Sequence, residues 1–365
     1  MGLTTRSHGR FGWIPDYPDF RDYTANTPSV REILLPTGIP LPREIPPAQA
    51  GEGEGGEGAE GGVKGGESGT ERRKAGGGAG GPASGGEREE GVTAGRSRGA
   101  AASANVGGGR RSVAAAPLPA SVDLRAHCSP IEDQRGLGSC TAQAGAGVIE
   151  YYERRAFGRH IDASRLFLYK VTRNLMKLKG DTGAYLRTTI GAMVLFGVPP
   201  EEYWPYTDDD KRFDREPPAF CYSFAQNYKT IQYYRHDPPG VAAASILSHV
   251  KTNLAAGHPS MFGFTVYSSI ETADERGAIP FPAERERILG GHAVVAVGYD
   301  DKLKVKNASG GESTTGALLI RNSWGGEWGE GGYGRLPYEY ILRGLAEDFW
   351  SVLKKDWIDT GAFNV

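Results

Sequence analysis

Sixty residues, Gly51 to Arg110, hold 23 of the chain's 54 glycines and not one aromatic, Leu or Ile. Such a stretch has little to bury and the largest backbone entropy to lose, so it is expected to stay disordered. It divides the 365 residues into a short N-terminal arm over 1–48, a glycine-rich linker over 49–116, and a domain-sized remainder over 117–365. Any folded core must come from that remainder, with whatever the arm adds to it.

The arm carries Phe11-Gly12-Trp13-Ile14-Pro15-Asp16-Tyr17-Pro18-Asp19-Phe20-Arg21-Asp22-Tyr23. It is too rich in proline to build a core and too aromatic to remain solvated, so it is expected to dock on the chain's own domain. Two roles stay open: a structural brace, or an inhibitory segment lying in an active-site groove.

A formal net charge of -2 gives no reason to expect a nucleic acid or a membrane surface as partner. No apolar run reaches the roughly 18 residues of a membrane span, and none of signal-peptide length follows Met1. Three cysteines, Cys128, Cys140 and Cys221, are too few for a disulfide framework and lack the paired spacing of a zinc site. The expectation is a reducing, cytoplasmic setting, with no metal and no cofactor.

Within the remainder, helical periodicity runs from Cys140 to about Ala156 and stops at Gly158. It recurs over Ser164–Lys179 and over Tyr185–Phe196, the latter closed by Gly197 and Pro199-Pro200. Beyond about Tyr228 the runs become strand-like: Met261–Tyr267, Ala293–Tyr299, Ala317–Arg321 and Gly332–Leu336. The order predicts an α+β domain, with a helical lobe over about 128–227, a β lobe over about 228–345 and a C-terminal extension over 346–365. Phe349-Trp350-Ser351-Val352-Leu353 is apolar enough to pack on the core as either helix or strand.

Cys140 stands at the start of the first helix, delivered there by Gly138-Ser139, where the positive end of the helix dipole favours thiolate. A thiolate nucleophile needs a proton acceptor, a group to hold that acceptor, and donors for an oxyanion. Of seven histidines, His292 opens an apolar strand directly after Gly290-Gly291. Asn322-Ser323-Trp324-Gly325 ends the next strand, so a hairpin would bring the Asn322 amide oxygen to one imidazole nitrogen and leave the other for Cys140. Trp324 would shield that bond from water. Gln134 offers a side-chain amide donor beside the Cys140 backbone N–H.

Together Gln134...Gly138-Ser139-Cys140, His292-Ala293-Val294-Val295-Ala296-Val297-Gly298-Tyr299 and Asn322-Ser323-Trp324-Gly325-Gly326-Glu327-Trp328-Gly329 resemble, in order, the motifs of the papain-like cysteine proteases. The resemblance covers about residues 118–345. It implies a two-lobed fold, a helical lobe against an antiparallel sheet or barrel with the active-site cleft between them, and a monomeric thiol protease acting on a peptide or protein substrate. Cys140 would be the nucleophile, His292 the base and later the acid, Asn322 the orienter and Gln134 the oxyanion donor, with a thiolate–imidazolium pair at rest. Gly183 or Ala184 would pair with an extended substrate backbone beside Gly138, while Gly263 and Ala293, both small, would wall a roomy apolar pocket on the acyl side. Thr141 and Leu137 stand where the family usually has an aromatic residue and a disulfide cysteine, which marks a disulfide-poor member. Three outcomes fit these residues: endopeptidase hydrolysis through a thioester, transpeptidation or ligation through the same thioester, or a silent binding module that keeps the fold.

Overall fold

The computed structural model describes residues 11–19, 22–34, 117–228, 232–307 and 310–353. The glycine-rich linker of 49–116, the outer parts of the arm and the last residues of the C-terminal extension lie outside them. The described residues all belong to one compact unit.

Helix α1 (Pro28–Leu34) belongs to the arm. The helical lobe follows, with α2 (Cys140–Phe157), α3 (Arg165–Leu175), α4 (Leu186–Leu195) and α5 (Ala219–Ala225). Residues 140–152 of α2 are all buried, and small residues make that possible. A Cβ at Gly145 would lie 3.0 Å from both Leu168 and Met193, and one at Gly147 only 2.8 Å from the Arg321 guanidinium, so α2 touches α3, α4 and the sheet at once. Gly158 ends α2 at φ 70°, a left-handed conformation that suits glycine. Ser164 caps α3 by accepting the Phe167 N–H.

The second lobe is an antiparallel sheet of β1 (Ser121–Asp123), β2 (Gln232–Arg235), β3 (Ser260–Tyr267), β4 (Ile288–Val305), β5 (Thr314–Arg321), β6 (Tyr333–Pro337) and β7 (Ala346–Leu353). Strand order is β2-β7-β3-β4-β5-β6, with β1 on β4. Two further helices, α6 (Ala243–Ala255) and α7 (Glu339–Leu342), complete the described elements.

The segment beginning at 346 is therefore no extension. β7 inserts between β2 and β3, because Phe349, Trp350, Val352 and Leu353 are fully buried and need both flanks covered. Helix α6 is a second departure from the strand-like reading beyond Tyr228; it turns only Val250, Asn253 and Leu254 fully inward. Cys128 and Cys221 are buried free thiols. Among the described residues no helix is long and apolar enough to cross a membrane.

Beneath α2 a buried polar knot ties the lobes. Arg321 donates to the Ser129 and Pro130 carbonyls, each at 2.8 Å, and to the Ser129 hydroxyl. That hydroxyl in turn meets Glu150, whose carboxyl also accepts the Ala163 N–H. Burial raises the Glu150 pKa to about 7.

Candidate active site

Each wall of the cleft contributes one of the two reacting groups expected from the sequence. Cys140 opens α2 and is fully buried; His292 lies on β4, also fully buried, with its register fixed by pairing to Phe264 on β3. The backbone N–H of Ala293, the residue after His292, is among the groups that favour the Cys140 thiolate. β4 and β5 pair antiparallel, and at the end of β5 the Asn322 Oδ1 lies 2.8 Å from His292 Nε2. The other ring nitrogen, Nδ1, has no hydrogen-bond partner among the described residues. Trp324 stacks on the imidazole at 4.6 Å and 22°, covering the His292–Asn322 bond.

Gln134 is held on four sides. Its backbone N–H donates to the Ser323 carbonyl and its carbonyl accepts from Tyr206, while its side-chain oxygen accepts from Ser323 and its side-chain nitrogen donates to the Leu137 carbonyl. The amide plane is thereby fixed before any substrate arrives. Ser323, Tyr206 and Asp181 are positioning groups that sequence reasoning did not single out. Asp181 accepts the Gly138 N–H at 2.8 Å and the Tyr169 hydroxyl at 2.6 Å, and Tyr169 accepts the Gly183 N–H. The only sequence signal was position: Asp181 lies two residues before Gly183, already marked for backbone pairing with substrate, and Ser323 directly after Asn322.

Residues 11–14 lie along the same groove. Trp13 N–H donates to the Gly291 carbonyl at 3.0 Å, Ile14 N–H to the Ala184 carbonyl at 3.1 Å, and Ala184 N–H to the Gly12 carbonyl at 2.7 Å. Gly12 rests so close to the loop before Cys140 that a Cβ there would fall 1.8 Å from the Gly138 carbonyl oxygen. The Phe11 ring stands edge-on 6.2 Å from both His292 and Trp324. Trp13 fills the pocket beside Gly263 and Ala293, and its indole N–H reaches Asp348 Oδ2 at 3.2 Å. That pocket is thus not apolar throughout: a buried carboxylate closes its far end, because β7 and not a surface extension forms its floor.

Enclosure sets the protonation states. Burial pushes the Cys140 thiol up to about 11, outweighing the N–H groups of Ala293, Gly12, Thr141 and Cys140 that favour thiolate. Burial likewise presses His292 down to about 4, with the Asn322 contact opposing it. Burial beneath the arm thus works against the ion pair that the motifs imply.

The family described as papain family cysteine protease matches residues 118–348. The chain belongs to the papain family. This papain-family peptidase is 35% identical over 226 residues to an uncharacterized peptidase C1-like protein of Acanthamoeba polyphaga mimivirus, covering 60% of this chain and 68% of that one. To cathepsin K of Gallus gallus it is 30% identical over 224 residues, 59% of this chain and 58% of the cathepsin. Among solved structures, xylellain, a cysteine protease from Xylella fastidiosa, aligns over 96% of this chain and 98% of its own with a TM-score of 0.59 and 28% identity. The family has the two-lobed α+β fold built above, and the chain is a papain-like cysteine peptidase, a hydrolase acting on peptide or protein substrates.

Proposed function

We propose that the chain is a cysteine-type endopeptidase that works through a Cys140–His292–Asn322 triad and a thioester, and that its own N-terminal arm holds it latent. The observation that carries the triad is the 2.8 Å contact of His292 Nε2 with Asn322 Oδ1, which commits that nitrogen and leaves Nδ1 for the thiol. In the reaction His292 takes the Cys140 proton as sulfur attacks the scissile carbonyl, and the Cys140 N–H and the Gln134 amide receive the oxyanion. His292 then protonates the leaving amine, and a water activated by the same ring hydrolyses the thioester. An open groove, able to pair backbone with Ala184 and Gly291, suits a cut within a chain.

Latency follows from direction. In a substrate, the residue filling the acyl-side pocket precedes the residue whose carbonyl is attacked. In the arm Trp13 fills that pocket and follows Gly12, which lies over the nucleophile loop. The arm therefore runs opposite to a substrate and presents no carbonyl in the attack geometry. Burying an indole of about 200 Å² at about 25 cal/mol per Å² is worth several kcal/mol, enough for a tethered segment to stay in place.

Two assays test the reading. Cys140→Ala in an arm-free chain should lose several decades of turnover while folding is kept; retained turnover would end the mechanism. Removing residues 1–112 should raise turnover, and an unchanged rate would return the arm to a structural brace.

A further inference from the structure

The loop before Cys140 and the segment that pairs with the arm in the groove meet at one carboxylate. Asp181 Oδ1 accepts the Gly138 N–H at 2.8 Å and the Tyr169 hydroxyl at 2.6 Å, and the Tyr169 oxygen accepts the Gly183 N–H at 3.1 Å. The two segments touch: a Cβ at Gly138 would stand 3.2 Å from Asp181 Oδ1 and 3.6 Å from the Gly183 nitrogen. Behind them α3 gives support. Tyr169 and Arg173, four residues apart on one helical face, are both fully buried, with the guanidinium 4.0 Å from the phenol ring. Arg173 also donates to the Gly180 carbonyl and to Asp214, and Asp214 accepts the Gly180 N–H.

The Leu137–Gly138 peptide unit is what Asp181 restrains. Its N–H is held by Asp181, and its carbonyl accepts from Gln134 Nε2 at 2.9 Å. The unit is planar, so fixing the N–H fixes the carbonyl. One N–H of the Gln134 amide is spent on that carbonyl, which sets the direction of the other. All three cysteines are free thiols, so hydrogen bonds and packing, not a disulfide, must hold this loop. A hydrogen bond to a carboxylate is about twice as strong as a neutral one, which suits a backbone that glycine leaves free to turn.

We propose that Asp181 is a positioning residue for the peptidase reaction: through the Leu137–Gly138 peptide it aims the Gln134 amide at the oxyanion, and through Tyr169 it sets Gly183 so that Ala184 meets the substrate backbone. The inference rests on the hydrolytic reading of the groove. It gives two neighbouring residues different tasks. Gly183 N–H is committed to Tyr169, so Ala184, whose N–H and carbonyl both bond the arm, is the residue that pairs with substrate. Asp181 bears on the support of the oxyanion donor and Tyr169 on the pairing segment. Loss of the first should therefore appear in kcat and loss of the second in KM.

The experiment takes as parent the full chain carrying Trp13→Ala, which vacates the pocket, and adds Asp181→Ala, Asp181→Asn or Tyr169→Phe. Turnover is followed on one blocked hexapeptide, and hydrogen exchange of the Gln134 side-chain amide is followed by NMR in the same chains. Asp181→Ala should lower kcat about tenfold with KM within about twofold, part of what removing an oxyanion donor outright would cost. Asp181→Asn keeps an oxygen where Oδ1 stands and should return kcat to within about threefold of the parent. Tyr169→Phe should raise KM several-fold at nearly constant kcat. Exchange at the Gln134 amide should quicken about tenfold in Asp181→Ala and stay near the parent's in Asp181→Asn. Should the alanine variant not fold, Asp181→Leu, of similar shape without the oxygens, is read by the same outcomes. Unchanged kcat in Asp181→Ala, an equal loss in Asp181→Asn, or unmoved Gln134 exchange would overturn the proposal, whatever the melting temperature does. Because exchange needs no turnover, quickened exchange over a parent that fails to cleave would refute the hydrolytic reading and leave the hold of Asp181 on Gln134 standing.

Discussion

A Cβ placed on Gly263 would lie 1.9 Å from Cε2 of Trp13, so the absence of a side chain at one position is the seat of the indole from another. Gly263→Ala should therefore weaken docking of the arm. Overpacking of this kind costs about 1–3 kcal/mol, which corresponds to roughly five- to 150-fold weaker docking of the arm. In the intact chain the expected outcome is faster labelling of Cys140 by a thiol-directed peptide electrophile carrying a small acyl-side residue. Slower labelling, or none, would mean that Trp13 does not guard the site.

The arm also sets the chemistry of the sulfur. With Gly12 and Trp13 in place, burial pushes the Cys140 thiol up to about 11 and presses His292 down to about 4, favouring the neutral form of each. Uncovering the groove removes desolvation, which lowers the cysteine pKa and raises that of the histidine, toward the ion pair the family motifs imply. Alkylation of Cys140 by iodoacetamide should then be slow in the intact chain at neutral pH, accelerating only in strong alkali. In a Trp13→Ala chain the rise should come several pH units lower. Coincident pH profiles would show that the arm does not control thiol ionisation.

Asn322 is committed to His292 Nε2, and its Oδ1 also accepts the Ser323 backbone N–H at 2.8 Å, so the amide cannot swing away without breaking both contacts. Asn322→Ala frees the imidazole to rotate under Trp324. In an arm-free chain kcat should fall by about two decades, the low end of what a positioned general base supplies, while KM changes little. A loss confined to KM would assign Asn322 to substrate binding.

Helices α2, α3 and α4 were legible because each keeps an uninterrupted 3.6-residue apolar period between a small or hydroxyl start and a glycine or proline stop. Strands β3, β4 and β5 were legible from their dense β-branched and aromatic runs. Pairing of β2 with β7 was not, since it joins Gln232–Arg235 to residues more than a hundred positions later and no local pattern encodes such a partner. Cys140, His292 and Asn322 could be named because chemistry restricts which residue types serve, and three spaced motifs carried them. Asp348 gave no such signal. A carboxylate directly after Glu347, ahead of an apolar run, looks like an outward-facing residue until Arg235 and Trp350 are seen around it.

Beyond the groove, carboxylates hold the arm to the same floor. Asp22 is nearly buried and meets Arg187 at 2.8 Å and Arg235 at 3.5 Å, while Asp16 meets Arg187 at 3.1 Å. Arg235 keeps Asp237 and Asp348 when Asp22 is neutralised, so Asp22→Asn should leave the melting temperature of the domain nearly unchanged. Arg187, about a quarter exposed, has no domain carboxylate as close among the described residues, and the exchange costs the arm part of its attachment. Labelling of Cys140 in the intact Asp22→Asn chain should quicken several-fold at low salt, and the gap from the unaltered chain should narrow as ionic strength screens the Asp22–Arg187 pair that only the unaltered chain keeps. If the labelling rate does not move, the indole and the backbone bonds to Ala184 and Gly291 carry the docking alone.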